Sequence, residues 1–187
     1  MIKINLTKEL LKKSADYSEG KHYNRSIRGV AGTNIGAIGE FVLEEEMKGR
    51  ALDVIDNRTS DKATEYDFLV NGQKVEVKTK DRTVPPKPFY ECSIPLYNHE
   101  HQKPDWFVFL SLHRQDNPYM GDVWYEDAYI LGGCTYEYIQ EVGMTVMKGE
   151  LDPSNGWLCN ESCINIPISK LTEPHPLFNR LAYPRVT

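Results

Sequence analysis

From Tyr66 to Lys80 the chain reads YDFLVNGQKVEVKTK, and apolar and polar residues alternate on both sides of Asn71-Gly72. A period of two marks a strand with one buried face. Asn-Gly is the favoured two-residue type I′ turn, because both positions need positive φ. The pattern therefore predicts a β-hairpin, and a two-residue turn also sets its register. Val70 faces Gln73, Phe68 faces Val75, and Asp67 faces Glu76. Tyr66, Phe68, Val70, Val75 and Val77 share the apolar face, while Glu65, Asp67, Leu69, Lys74, Glu76, Lys78 and Lys80 share the other.

Around the hairpin the periodicity changes. LTKELLKKSADY, from Leu6, predicts a helix with Thr7 as N-cap and Leu6, Leu10 and Leu11 on its apolar side. KHYNRSIRGVAGTN reads as a polar loop. IGAIGEFVLEEEMKGR, from Ile35, predicts a second helix capped by Thr33 or Asn34 and stopped near Gly49. ALDVIDN is a short strand. The segment 82–105 holds five prolines and reads as a long surface loop. WFVFLSLH, from Trp106, is the most apolar run and predicts a buried central strand, with Trp106, Phe107 and Phe109 in the core. DVWYEDAYILGG reads as one or two strands, TYEYIQEV as a short helix, and CINIPISKL as a late strand followed by a turn. Strands and helices alternating irregularly around one sheet suggest a three-layer α/β domain with a mixed sheet. At 187 residues the chain is read as one domain.

The hairpin poses a chemical question. Opposed residues have Cβ atoms roughly 4.5–5.5 Å apart, and like charges there repel. Asp67 across from Glu76 is a pair that a sheet built only for stability would avoid. A divalent cation between the carboxylates removes the repulsion, and hard oxygen ligands suit Mg²⁺ or Mn²⁺. The competing reading is a solvated hairpin face, which a chain with 27 acidic residues supplies readily. The second helix adds Glu40. Gly36, Gly39, Glu40, Leu43 and Met47 fall on one side of it, with Ile35, Ile38 and Val42 on another, so it is expected to pack on two sides. Glycine lets another backbone come close. Glu40 among these residues is expected to be partly buried and to need a cation or hydrogen bonds. The alternative is an exposed glutamate stacked with Glu44 one turn on.

Composition narrows the classes. With 40% hydrophobic and 26% charged residues the chain is ordinary globular. No apolar run reaches the roughly 20 residues that span a bilayer, and the N-terminus has no continuous apolar core, so a cytoplasmic protein is expected. Cys92, Cys134, Cys159 and Cys163 do not suggest a disulfide framework in a reducing compartment. Cys159-x3-Cys163 with His99-x-His101 lacks a second close cysteine pair, so scattered core or surface residues are the better reading than zinc. Net charge is −5, yet residues 1–30 hold seven Lys and Arg against three acids, and residues 74–88 hold five against two. A local basic patch can meet phosphates although the total is negative. Trp124 and Tyr125 read as core or rim residues before base-stacking ones.

A helix with Glu40 in GAIGE, a strand with Asp67 in EYDFLV, and a paired strand with Glu76 and Lys78 in VEVKTK stand in an order that resembles the PD-(D/E)XK nuclease superfamily. The likeness covers about residues 30–112, with an N-terminal helix before it and a strand/helix extension after it. It is similar to small stand-alone phage or bacterial members, and Tyr66 stands where the motif's proline would be. The resemblance implies a restriction-endonuclease-like fold, a central mixed β-sheet flanked by helices, with a metal site where the hairpin splits open. It implies a Mg²⁺- or Mn²⁺-dependent phosphodiesterase acting on DNA, an endonuclease before an exonuclease, in a bacterial or phage-infected cell. Asp67, Glu76 and the backbone carbonyl of Val77 would hold the metal. Glu40 would act through a bound water or a second ion. Lys78 would position or deprotonate the attacking water, and its alternative is an ion pair with Glu65. Bound metal lowers the pKa of water and stabilises charge on the phosphate. Lys80 and Arg82, with Lys21, Arg25 and Arg28, would touch the DNA backbone, which positions substrate without reading sequence. Recognition would come from loop 81–105, from a homodimer or from a partner. Two other readings stay open: a catalytically inactive module of the same fold that binds nucleic acid or protein, and an unrelated structural α/β protein with a wet hairpin face. The same carboxylates also serve RNA cleavage.

Overall fold

The structure is a computed structural model describing residues 1–19, 29–60, 65–98, 102–116, 123–154, 156 and 158–183. Its centre is a mixed six-stranded sheet. β1 (Ile2–Asn5), β2 (Val54–Asp56), β3 (Phe68–Val70), β4 (Gln73–Arg82), β6 (Trp106–Asp116) and β7 (Val123–Cys134) lie in the order β1-β7-β6-β4-β3-β2. β4 and β6 run parallel; the other neighbours are antiparallel.

The hairpin forms in the expected register. Phe68 pairs with Val75 and Val70 with Gln73. Asn71 (φ 46°) and Gly72 (φ 80°) both take the positive φ that the turn demands. The turn is also docked: Asn71 Nδ2 donates to Leu181 O at 2.9 Å, and Gln73 Nε2 to Arg180 O at 3.1 Å. These acceptors are among the last carbonyls of α4 (Pro174–Ala182), groups a helix cannot satisfy by itself.

One face of the sheet is covered by helices. Leu10 of α1 (Lys8–Glu19), Leu43 and Met47 of α2 (Gly29–Gly49), and Leu177 and Leu181 of α4 share a core with Val75, Val108, Leu110 and Leu112. Thr7 caps α1 as its position predicts, accepting from Leu10 N at 3.1 Å. α2 is pressed hard onto β4. A Cβ on Gly39 would lie 2.0 Å from Thr79 Oγ1 and 3.0 Å from Thr79 Cβ.

The second face differs from expectation. Phe107, Phe109 and Leu131 pack there against a separate three-stranded sheet, β5 (Glu91–Pro95), β9 (Cys163–Pro167) and β8 (Met144–Val146), in the order β5-β9-β8, and against Ile139 of α3 (Tyr136–Val142). The expectation of helices on both faces is corrected: this layer is a small sheet with one short helix. β5 lies inside segment 82–105, so that segment is not wholly loop. Its prolines flank the strand or end it, at Pro88 and Pro95, where no ladder donor is lost.

Two boundaries also move. α2 begins at Gly29, so Thr33 and Asn34 are inside the helix and cap nothing. Burial of Ile35, Ala37 and Ile38 outweighs the weak propensity of its glycine-rich start. β1 pairs with β7 from Ile2 to Asn5, ahead of the first predicted element.

Gly39→Ala is expected to lower thermal stability by about 1–3 kcal/mol through overpacking, a fall in Tm of several degrees for a domain of this size. Adding Thr79→Ala, which removes the atom 2.0 Å from the new Cβ, should recover part of it. Differential scanning calorimetry of the single and double variants checks both.

Candidate functional site

Asp67 stands one residue before β3. Its backbone is fixed on both sides: Asp67 N donates to Val75 O at 3.0 Å, and Asn57 N donates to Asp67 O at 2.9 Å. Its side chain accepts from Val77 N at 2.7 Å. N–H and C=O of one strand residue point to the same side, so the Val77 carbonyl also faces the edge where Asp67 lies. Asp67 thus lies within the electrostatic reach of Glu76, with the Val77 N–H on its carboxylate.

The electrostatics are those of crowded carboxylates. Burial holds the Asp67 carboxyl well above its ordinary range, and the charges of Glu76 and Glu40 push it further; the Val77 N–H and Lys78 pull the other way. Glu76 is 4% exposed. Its Oε1 accepts from Lys78 Nζ at 2.6 Å, and its Oε2 is buried with no hydrogen-bond partner among the described residues. A buried carboxylate oxygen without a donor is costly, and a cation would remove that cost. No group of three His, Cys, Asp or Glu side chains forms a cation cage among the described residues. An ion here would therefore rest on two carboxylates, the Val77 carbonyl and water. That donor set is all oxygen and fits Mg²⁺, which keeps several waters.

Lys78 does not pair with Glu65. Glu65 lies near Lys74, at 3.9 Å, because it precedes the bend into Asp67 and stays at the solvent side. Lys78 instead bonds Glu76 and Gln102 Oε1, the latter at 2.9 Å. Gln102 escaped the sequence reading, since it sits in a proline-flanked segment with no period.

Glu40 lies close enough to add its charge to that of Asp67, and it is partly buried beside a cation, as the first reading expects, but the cation is Arg58 of the chain itself. Glu44, one turn on, is buried rather than solvated. Between α2 and β2 lies Arg58, itself 4% exposed. Its guanidinium reaches Glu44 at 2.5 Å, Asp56 at 2.7 Å and Glu40 at 3.7 Å, over the rings of Phe41 and Phe68 at 4.3 and 4.8 Å. Burial works against the charge of Arg58, yet the hydrogen bonds of Asp56 and the three carboxylates raise its pKa further. Burial would raise Glu44 as well; Lys48 and Arg58 outweigh it and hold Glu44 below its usual range. Only the charge type of Arg58 was visible in sequence; its segment, NRTSDK, carries no periodic signal.

Lys80 and Arg82 continue the Glu76–Lys78 face of β4 but are not free surface cations. Lys80 Nζ donates to Ser93 Oγ at 2.6 Å, and Arg82 Nη2 donates to Glu91 O at 2.7 Å. Burial lowers the pKa of both, and Arg82 lowers Lys80 further. Lys21, Arg25, Arg28, His99 and His101 lie outside the described residues. The four cysteines are free; Cys92 and Cys134 are core residues, and Cys159 Sγ lies 3.8 Å from Cys163 Sγ. Trp106, Phe107 and Phe109 are buried as expected, while Trp124 is exposed. No helix among the described residues is long and apolar enough to cross a membrane.

Comparison with known proteins finds no matching family model, no matching curated protein and no matching solved structure.

Two consequences can be measured without substrate. Asp67 has a raised folded pKa, so its ionisation opposes folding, and that penalty is present above the folded pKa and absent below the unfolded value near 3.8. Asp67→Asn should therefore raise Tm at neutral pH in EDTA, by several degrees if the penalty exceeds about 1 kcal/mol, and the gap to wild type should close as pH falls toward 4. Thermal melts across pH test this. Arg58→Met leaves three carboxylates without their shared cation and should cost about 3–5 kcal/mol, read by urea denaturation.

Proposed function

We propose that this protein is a divalent-metal-dependent nuclease of restriction-endonuclease-like fold, hydrolysing phosphodiester bonds in DNA. The observation that carries the reading is that the Asp67, Glu76 and Glu40 carboxylates lie close enough to act on one another beside the β3–β4 hairpin, with a buried, donorless oxygen on Glu76 and a lysine two residues on. The mixed sheet with α2 packed against β4 is in keeping with that fold.

When bound, Mg²⁺ supplies Lewis-acid charge and a water of lowered pKa. Asp67, Glu76 and the Val77 carbonyl would hold it. Every other task falls to the chain. Lys78, kept in place by Glu76 and Gln102, presents an ammonium beside the carboxylates, where it offsets phosphate charge and orients the nucleophile by hydrogen bonding. Val77 N–H fixes which Asp67 oxygen stays directed to the backbone. Arg58 holds α2 and β2 together, and with them Glu40 at the rim of the site.

One observation favours a second reading. The 2.6 Å Lys78–Glu76 contact lets lysine serve as the counter-ion, as it would in an inactive module that keeps the fold to bind nucleic acid or protein.

Calorimetric titration with Mn²⁺ beside a plasmid-cleavage assay separates the two. The nuclease reading expects wild type to bind Mn²⁺ and nick DNA, with both lost in Asp67→Asn, and Lys78→Met to keep binding while losing at least about 100-fold in rate, the usual weight of one positioned acid–base or electrostatic group. Cleavage that persists in Asp67→Asn, or wild type that binds no divalent ion with DNA present, overturns it.

A further inference from the structure

Beyond Lys78, the same face of β4 leads into a cleft of about 620 Å³ whose lining includes Lys80, Arg82, Val84, Phe89, Glu91 and Arg114. We propose that this cleft holds one unpaired nucleotide of the substrate strand, with its phosphate between Lys80 and Arg82 and its base against Phe89. The choice of ligand rests on the nuclease reading.

Charge is the first argument. Arg114 is neutralised by Asp81 at 3.1 Å, so these two cancel. Lys80 and Arg82 are not so matched. Their hydrogen bonds go to Ser93 Oγ and to the Glu91 carbonyl, neutral acceptors, and neither has a carboxylate within ion-pair distance among the described residues. Arg82 also keeps a buried Nε with no hydrogen-bond partner among the described residues. Two neighbouring, desolvated cations of like sign are the mirror image of Asp67 and Glu76. The pair of carboxylates calls for a cation; the pair of cations calls for an anion. The Glu91 carboxylate lines the cleft too, but Oε2 accepts from Ser154 Oγ at 2.7 Å.

Shape and lining make the anion a nucleotide. The volume lies in the range of small-ligand sites, too small for a duplex. Phe89 is 68% exposed and Val84 45% exposed, and they offer apolar surface beside the cations. Phe89 is braced edge-on by Tyr90, with ring centroids 5.0 Å apart. An exposed, braced aromatic beside a basic track is the arrangement on which unpaired bases stack, and such stacking is tolerant of sequence. Two strand residues advance about 6.6 Å, so Lys80 continues directly from Lys78 and the two sites lie on one track.

The test uses metal-free protein in EDTA, titrated with thymidine 5′-monophosphate, thymidine and inorganic phosphate and followed by heteronuclear NMR. The monophosphate is expected to bind more tightly than either fragment. Phe89→Ala, at an exposed position, should weaken the monophosphate at least about fivefold and leave inorganic phosphate unchanged. Arg82→Gln should weaken both, and Glu91→Gln should strengthen both. A single-stranded oligothymidylate should displace the monophosphate, and a blunt duplex should not. No binding of the monophosphate, or binding that Phe89→Ala and Arg82→Gln leave unchanged, overturns the proposal. Binding of the free nucleotide that the oligothymidylate cannot displace overturns its assignment to a substrate strand. Failure here with cleavage still dependent on Asp67 sinks only the cleft; cleavage independent of Asp67 sinks the nuclease reading whatever the nucleotide does.

Discussion

A guanidinium buried among three carboxylates and two or more aromatic rings governs how the elements around the site are arranged. Arg58 contacts Glu40 and Glu44 on α2 and Asp56 on β2, and it stacks on Phe41 and Phe68. Its charge cannot be removed by deprotonation within any ordinary pH range. It therefore favours the ionised form of Glu44 and draws the carboxylates close. This fixes α2 on the hairpin side of the sheet, and it does so from outside the site. The close approach of Gly39 to Thr79 then sets the depth at which α2 sits on β4. One contact chooses the position along the helix, the other the distance from the sheet.

The same polypeptide gathers charge of one sign and leaves it unbalanced in two places along β4. At one end, Asp67 and Glu76 crowd together, with Lys78 and the Val77 N–H to offset their repulsion. Farther on, Lys80 and Arg82 repel each other beside neutral acceptors. A structure selected for stability alone would pair these groups with each other or expose them. Their separation along one strand gives the face a polarity, acidic then basic.

The hairpin was legible in sequence because its determinants are local. Asn71-Gly72 fixes the turn, and the turn fixes the register that pairs Phe68 with Val75 and brings Asp67 toward Glu76. Trp106, Phe107 and Phe109 were legible for a similar reason, an unbroken apolar run. Arg58 and Gln102 were not, since each acts through partners distant in sequence and sits in a segment without period. The small sheet was hidden because β5 and β8 are only five and three residues long, one inside the proline-rich segment and one behind Gly143, so that β9 alone read as a strand. The start of α2 was hidden because tertiary burial there overrides residues that read as caps.

The parallel pairing of β4 with β6 has a consequence in time. The hairpin closes over two residues, so Asp67 and Glu76 meet through contacts only nine positions apart. Lys78 meets Gln102, and β4 meets β6, only after the intervening crossover, which includes β5, has been laid down. Loop-closure entropy makes such contacts late. The acidic edge with Lys78 beside it is thus assembled early and the Gln102 contact late, so a partly folded chain carries the carboxylates and the lysine before it carries the group that holds the lysine in place.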